Sequence, residues 1–199
     1  YLNTGSIITN GGGNHTVNLA DDREGAGVAD GQRGAIKQDG SAAVDVAASV
    51  INASASAGID LDITATSISA VNSNSGNIQL DETDAVILTN VSNTGGGDVT
   101  VHANGLITAT SVSATGAGAD VTLATTTGGI TATSVSAADN VTLTADAGDI
   151  AATSVTGTNG FVSITATNGS VLLGNVTAGT TVTAQASGTN SDIVVNQTT

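Results

Sequence analysis

The sequence predicts an all-β fold: a right-handed parallel β-helix (a β-solenoid) with three short strands per coil of about 20–23 residues. Three observations predict it. An eight-residue motif recurs as ITATSISA from Ile63, ITATSVSA from Ile107 and Ile130, and IAATSVTG from Ile150, with looser copies from Val86, Val171 and Ile193. A shorter motif alternates with it: IQL from Ile78, VTV from Val99, VTL from Val121 and Val141, VSI from Val162 and VTA from Val182. The 199 residues include 26 Gly but no Pro, Cys, Met or Trp, with one Tyr and one Phe, so the interior must be narrow and filled by small aliphatic side chains.

Taken in chain order, residues 1–62 fit the period least. Val17 and Leu19 read as a third-face strand, and Val46, Ala48 and Ile51 resemble the eight-residue motif. Between them, residues 21–40 hold Arg23, Arg33 and Lys37 with much Gly, and are expected to form an inserted loop projecting from the rod. Ile59 and Leu61 look like a third strand, but the next coil then begins too soon after it. Residues 63–199 are the regular repeats.

Within each regular coil, apolar residues fall at offsets 0 and 2, then 5 and 7: Ile107, Ala109, Val112 and Ala114, and again Ile130, Ala132, Val135 and Ala137. Inward side chains recur every second residue along a strand, so the jump from offset 2 to offset 5 requires a corner near Thr110 and Ser111. The shorter motif then points inward at Val121, Leu123 and Thr125, giving three faces. Gly105, Gly128, Gly148 and Gly169 lie two residues before four consecutive motifs, which suggests a turn with positive φ. Variation in length is placed between the second and third strands, as TGAGAD after Ala114 but ADN after Ala137.

Stacking then predicts two interior ladders. One runs through Ile63, Val86, Ile107, Ile130, Ile150, Val171 and Ile193, the other through Ile68, Val91, Val112, Val135, Val155 and Val176. Adjacent coils pair in parallel at roughly 4.8 Å, and the right-handed sense follows from strand twist. The absence of Pro suits strands in which every backbone N–H is needed.

Charge narrows the function classes. With 17 acidic and 3 basic residues the net charge is -14, which disfavours nucleic acid and anionic lipid as partners. No apolar run reaches the length of a membrane span, so no membrane insertion is expected. The chain begins at Tyr1 without a signal-peptide pattern and is expected to be a processed product or an excerpt.

Catalysis has few candidates. His15 and His102 are the only histidines, and His102 takes an outward position held by Thr or Ala in other coils. Polysaccharide-cleaving β-helices combine carboxylates with basic and aromatic subsites, but here no Arg or Lys follows Lys37 and no Trp exists to stack on a sugar. The chain is therefore read as no enzyme, with no catalytic or cofactor-binding residue assigned. Metal binding has more material: Asp98, Asp120 and Asp139 or Asn140 precede the third strand of successive coils, while Asp146 and Asp149 flank a Gly turn. Such oxygen donors suit Ca²⁺, although the nonapeptide of calcium-loaded β-rolls is absent and a solvated acidic corner is the simpler reading. Outward pairs such as Thr108 and Thr110 or Thr131 and Thr133 resemble an ice-binding array, but Ile87, Ala151, Leu172 and Gly174 interrupt it, and β propensity alone explains exposed Thr.

The pattern ITATSVSA…VTLTA…GDI resembles the repeats of large secreted bacterial surface proteins of the filamentous haemagglutinin type, the two-partner-secretion exoproteins and related adhesins. The resemblance covers Ile63 to the C-terminus. It implies a secreted, extracellular, cell-surface location and a non-catalytic β-helical shaft serving adhesion to a host, cell or matrix surface. The final DIVVNQTT is a bare first strand without a polar cap, so the expected partners are further repeats of a longer chain or neighbouring copies that stack end to end into a fibre by β-augmentation.

Overall fold

The computed structural model describes residues 7–8, 15–20, 34–38 and 43–197. Its strands form one 17-stranded parallel sheet wound into a β-solenoid of about seven turns, and no described residue is helical. Along each regular coil the β-branched, period-two sequence gives the expected alternation: in Ile130–Ala137 the inward Ile130, Ala132, Val135 and Ala137 are buried. Val141–Ala145 repeats this with Val141, Leu143 and Ala145. The corner lies where parity breaks, because pairing runs from Ala109–Ala132–Ala152 to Ser111–Ser134–Ser154 and passes over Thr110, Thr133 and Thr153.

Like stacks on like from the second regular coil upward. Val86, Ile107, Ile130, Ile150, Val171 and Ile193 are consecutive partners, as are Val91, Val112, Val135, Val155 and Val176. The third face adds Ile36, Ile59, Ile78, Val99, Val121, Val141, Val162 and Val182. Between the ends of each column an apolar side chain is thus covered above and below by one of similar size, and these columns supply most of the hydrophobic stabilisation.

Four expectations are corrected. Gly148 alone of the four corner glycines has positive φ, at 105°. The column is required by crowding: a Cβ on Gly105 would lie 2.7 Å from the Ala85 nitrogen, and one on Gly148 2.7 Å from the Gly129 nitrogen. On Gly128 and Gly169 it would likewise strike the backbone of the coil beneath. Successive coils touch backbone to backbone there, leaving no room for a side chain.

The second correction concerns the lower ladders. Ile59–Asn72 is a single strand of 14 residues that passes from the third face into the next coil without a Gly turn. Ile63 consequently pairs with Glu82 instead of Val86, and Ile68 with Leu88 instead of Val91. A bulge between Ile68 and Ser69 absorbs the unpaired Thr89, after which Val91 sits over Ala70 and Asn93 over Asn72. Thr89 Oγ1 donates to the Ile68 carbonyl at 3.0 Å, which bridges the bulge. Inward residues still face inward on both sides of it.

The third concerns residues 21–40. Ile36–Lys37 is a strand of the rod, paired with Ile59 and Asp60, and Ile36 is buried over Ile59. The tail of this segment therefore does not project. Residues 21–33 and 39–40, with Arg23 and Arg33, lie outside the described residues. The fourth concerns Val17 and Leu19: Thr16–Ala20 pairs with Val50–Ser54 and places Val17 over Ile51 and Ile68, so this strand lies on the second face and not on the third, which at this level is taken by Ile36.

Candidate functional site

The acidic corner before the third face is a real column. Asp98 and Asp120 stack between Asn77 and Asn140, and each side chain accepts a hydrogen bond from the backbone N–H of the coil above. Asp98 N donates to Asn77 Oδ1 at 3.0 Å, Asp120 N to Asp98 Oδ1 at 3.0 Å, and Asn140 N to Asp120 Oδ1 at 2.8 Å. Phe161 N completes the series on Asn140 Oδ1 at 2.9 Å. Short Asx side chains suit this corner because they reach a neighbouring amide where the strand ladder has not yet begun. Asp139 stands beside the column, accepting from Asn140 Nδ2 at 3.2 Å.

Asp146 and Asp149 belong to a different corner. Asp149 Oδ1 accepts from Ser170 N at 2.7 Å, and the Asp146 carbonyl accepts from Asn168 Nδ2 at 2.9 Å. The five aspartates singled out as metal candidates are thus divided between two corners, and three of them already hold backbone amides. Among the described residues no group of three or more His, Asp or Glu is placed to hold a metal ion. His102 is exposed on the third face with Nδ1 3.9 Å from Asp81 Oδ1, while the His15 carbonyl accepts from Val50 N in the first coil. The two histidines stand on different coils.

The most unusual chemistry lies inside the rod, at residues the sequence reading did not single out. Glu82 ends the strand Ile78–Glu82 on its inward side, in the column that continues as Ala103, Thr125, Ala145 and Ala166. It is 3% exposed. Its Oε2 accepts from Ala65 N at 2.9 Å, and its Oε1 from Thr83 N at 2.9 Å and Asp84 N at 3.4 Å. Ala65 falls between the pairing that ends at Ile63–Glu82 and the one that begins at Ser67–Ile87, so the carboxylate supplies the acceptor that the interrupted ladder cannot. Burial raises the Glu82 pKa to about 7, with the neighbouring Asp84 charge adding to the rise and the Ala65 and Asp84 amides opposing it.

Asn72 and Asn93, both fully buried, form a second internal polar pair where their neighbours in the column are Ala55 and Ala114. Asn72 Nδ2 donates to Asn93 Oδ1 at 3.0 Å and to the Ser75 and Gly76 carbonyls, while Asn72 Oδ1 accepts from Gly58 N at 2.9 Å. Asn93 Nδ2 donates to the carbonyls of Gly76 and Asp98, and its Oδ1 accepts from Gly95 N at 3.1 Å. The pair clamps the loops at 73–77 and 94–98. No buried side-chain polar atom among the described residues lacks a partner. Parity could have exposed both features, since Glu82 and Asn93 occupy inward offsets that hold Ala or Thr in other coils.

The outward Thr columns are as broken as the sequence suggests. Thr108 stacks on Thr131, but Ile87 lies on one side of that pair and Ala151, then Leu172, on the other. In the last described coil Val182, Ile193 and Val195 are 49%, 46% and 55% exposed although they continue buried columns. Comparison with protein-family models, curated proteins and solved structures finds no match to the chain. The side chains of Asn77, Asp98, Asp120, Asn140, Asp149 and Glu82 each accept from the backbone of a neighbouring coil, and these bonds hold coils together.

Proposed function

We propose that this chain is a non-catalytic structural rod: the secreted β-helical shaft of a bacterial surface adhesin or extracellular filament, which holds an adhesive contact away from the cell. The observation that carries the reading is the parallel stacking of coil on coil from Val46–Ala55 to Ile193–Val195 around a largely aliphatic interior. A solenoid of this kind converts chain length into reach along one axis and leaves its outer faces free for solvation. The likeness of ITATSVSA…VTLTA…GDI to filamentous haemagglutinin-type repeats supports the adhesin assignment, and so does an outer surface built from Thr, Ser and Asp.

The test separates reach from adhesion. The chain is inserted between a surface anchor and a fluorescent reporter, and reporter height is measured by interference microscopy. With about seven turns spaced by roughly 4.8 Å, the expected gain is about 35 Å. No gain would overturn the rod. Beads coated with the chain are then applied to cultured cells and to matrix proteins; binding above a coating of scrambled sequence supports an adhesive segment, and none assigns the segment to spacing alone.

A further inference from the structure

We propose that Asn159–Gly160 is a site of spontaneous covalent modification, at which the Asn159 side chain converts to aspartate and isoaspartate. The chemistry belongs to the Asn-Gly dipeptide. The glycine nitrogen gives up its proton to solvent and attacks Asn Cγ. The new N–Cγ bond closes a succinimide as the Cγ–Nδ2 bond breaks, and Nδ2 takes up a proton and leaves as ammonia. Water then opens the ring. Cleavage of the N–Cγ bond gives aspartate, and cleavage of the bond from the same nitrogen to the main-chain carbonyl carbon gives isoaspartate, with the chain rerouted through Cβ. Glycine favours the attack because no side chain hinders its nitrogen. The sequence holds four such dipeptides, at Asn10, Asn104, Asn159 and Asn168, of which Asn10 lies outside the described residues.

The structure separates the other three. Gly105 N donates to the Asp84 carbonyl at 2.8 Å and Gly169 N to the Ser187 carbonyl at 3.1 Å, so each nitrogen must give up a backbone bond before it can attack. Gly160 N has no hydrogen-bond acceptor among the described residues, whereas its neighbours in the turn are engaged. Thr158 N and Asn159 N donate to the Ala137 and Ala138 carbonyls, both at 3.1 Å, and Phe161 N donates to Asn140 Oδ1 at 2.9 Å. Glycine is also required here, because a Cβ would strike Asn140 Oδ1 and Asp139 Oδ1. Asn159 itself is exposed, so water reaches its side chain. Conversion removes the bond from Asn159 Nδ2 to the Ala138 carbonyl, at 2.8 Å, and sets a carboxylate in its place. The isoaspartate also lengthens the corner whose Phe161 and Gly160 carbonyls accept from Val141 N and Thr180 N, both at 2.9 Å. The modification therefore loosens the junctions on both sides of this turn, an age-dependent weak point in the regular half.

The folded chain and the chain unfolded in urea are incubated side by side in mildly alkaline buffer, quenched in acid, digested with pepsin and mapped by mass spectrometry. The unfolded chain gives the intrinsic rate at each site, and the ratio of unfolded to folded rate gives its protection. Protection at Asn159 is expected to be about tenfold lower than at Asn104 or Asn168, the factor that corresponds to one backbone hydrogen bond of about 1.4 kcal/mol. Equal protection at the three sites, or greater protection at Asn159, would overturn the assignment. Amide exchange then reads the consequence. After ageing, Val141 and Thr180 should exchange faster in the native chain and keep their rates in Asn159→Gln aged alike, whose longer side chain does not close the five-membered ring. Unchanged exchange in a native chain that has converted at Asn159 would overturn the loosening.

Discussion

The coils below Asn93 and those above it build the same cross-section by different means. From Val99 to Ala178 the interior is almost wholly aliphatic, each inward residue meets its equivalent in the next coil, and register needs no correction. Between Asp45 and Asn93 the coils differ in length, one strand runs through a corner, and the pairing shifts at Ile68. There the buried polar side chains Asp45, Glu82, Asn72 and Asn93 contact the backbone of neighbouring coils or loops; Asp45 Oδ2, for example, accepts from Asp62 N at 3.0 Å. The contrast teaches that repetition keeps a solenoid in register without help, and that each departure from repetition calls for a side chain to replace a missing backbone partner.

The largest expected effect is in the regular half. Leu143→Ala opens a void between Leu123 and Ile164 in a column with no freedom to collapse, and should cost about 4 kcal/mol in a urea melt. A loss under about 1 kcal/mol would show that stacked aliphatics are not the main support of that half.

Glu82 should then make the lower half pH-dependent with a sign opposite to that of an ordinary paired carboxylate. Its native pKa is raised from 4.5 to about 7, so between those values the folded chain holds a proton that the unfolded chain has released. Stability from this group is full below about pH 4.5, falls as pH rises toward 7, and is flat above; the total is on the order of 3 kcal/mol. Comparing the native chain with Glu82→Gln at each pH cancels the contribution of the other carboxylates. A difference that does not vary between pH 4.5 and 7.5 would dismiss the buried-acid account.

Asn93→Ala matches the alanine at Ala114 in the coil above, yet it removes the clamp on the loops at 73–77 and 94–98 and leaves Gly95 N unpaired. A loss of about 2 kcal/mol is expected, with faster amide exchange confined to those loops. The smallest effect is at the acidic corner, where Asp120→Ala should cost about 1 kcal/mol and Asp120→Asn close to nothing, since either Asp or Asn can accept from Asn140 N. If added Ca²⁺ stabilised the native chain but not Asp120→Asn, the corner would have to be reassigned as a metal site.

Much of this was legible in the sequence. The jump from offset 2 to offset 5 located the corner at Thr110 and Thr133, and the position of Asp98 and Asp120 before the third strand put them in one column. What was not legible follows from how coils meet. Matching ITATSISA to VILTNVSN aligns Ile68 with Val91, because both share parity and composition; only the missing turn between Leu61 and Ile63 shifts the true partner to Ala70. The glycine corner read as a φ requirement, whereas the constraint lies in the neighbouring coil and is invisible within one repeat. Glu82 and Asn93 broke the interior pattern in plain sight, but their purpose depends on backbone groups about a coil away along the chain.

The interrupted ladder at Ile68 also has a mechanical meaning. In a rod whose backbone hydrogen bonds run along the axis, tension pulls on successive coil junctions in series, and each junction carries the whole force. Strength is then set by the weakest junction and not by the average one. The aliphatic coils above Asn93 are uniform and share strain evenly, but at the bulge one carboxylate and one threonine hydroxyl stand in for ordinary backbone pairs. A stretched rod would part there first, more readily at pH values where Glu82 is charged, and its upper coils would come away as an intact piece.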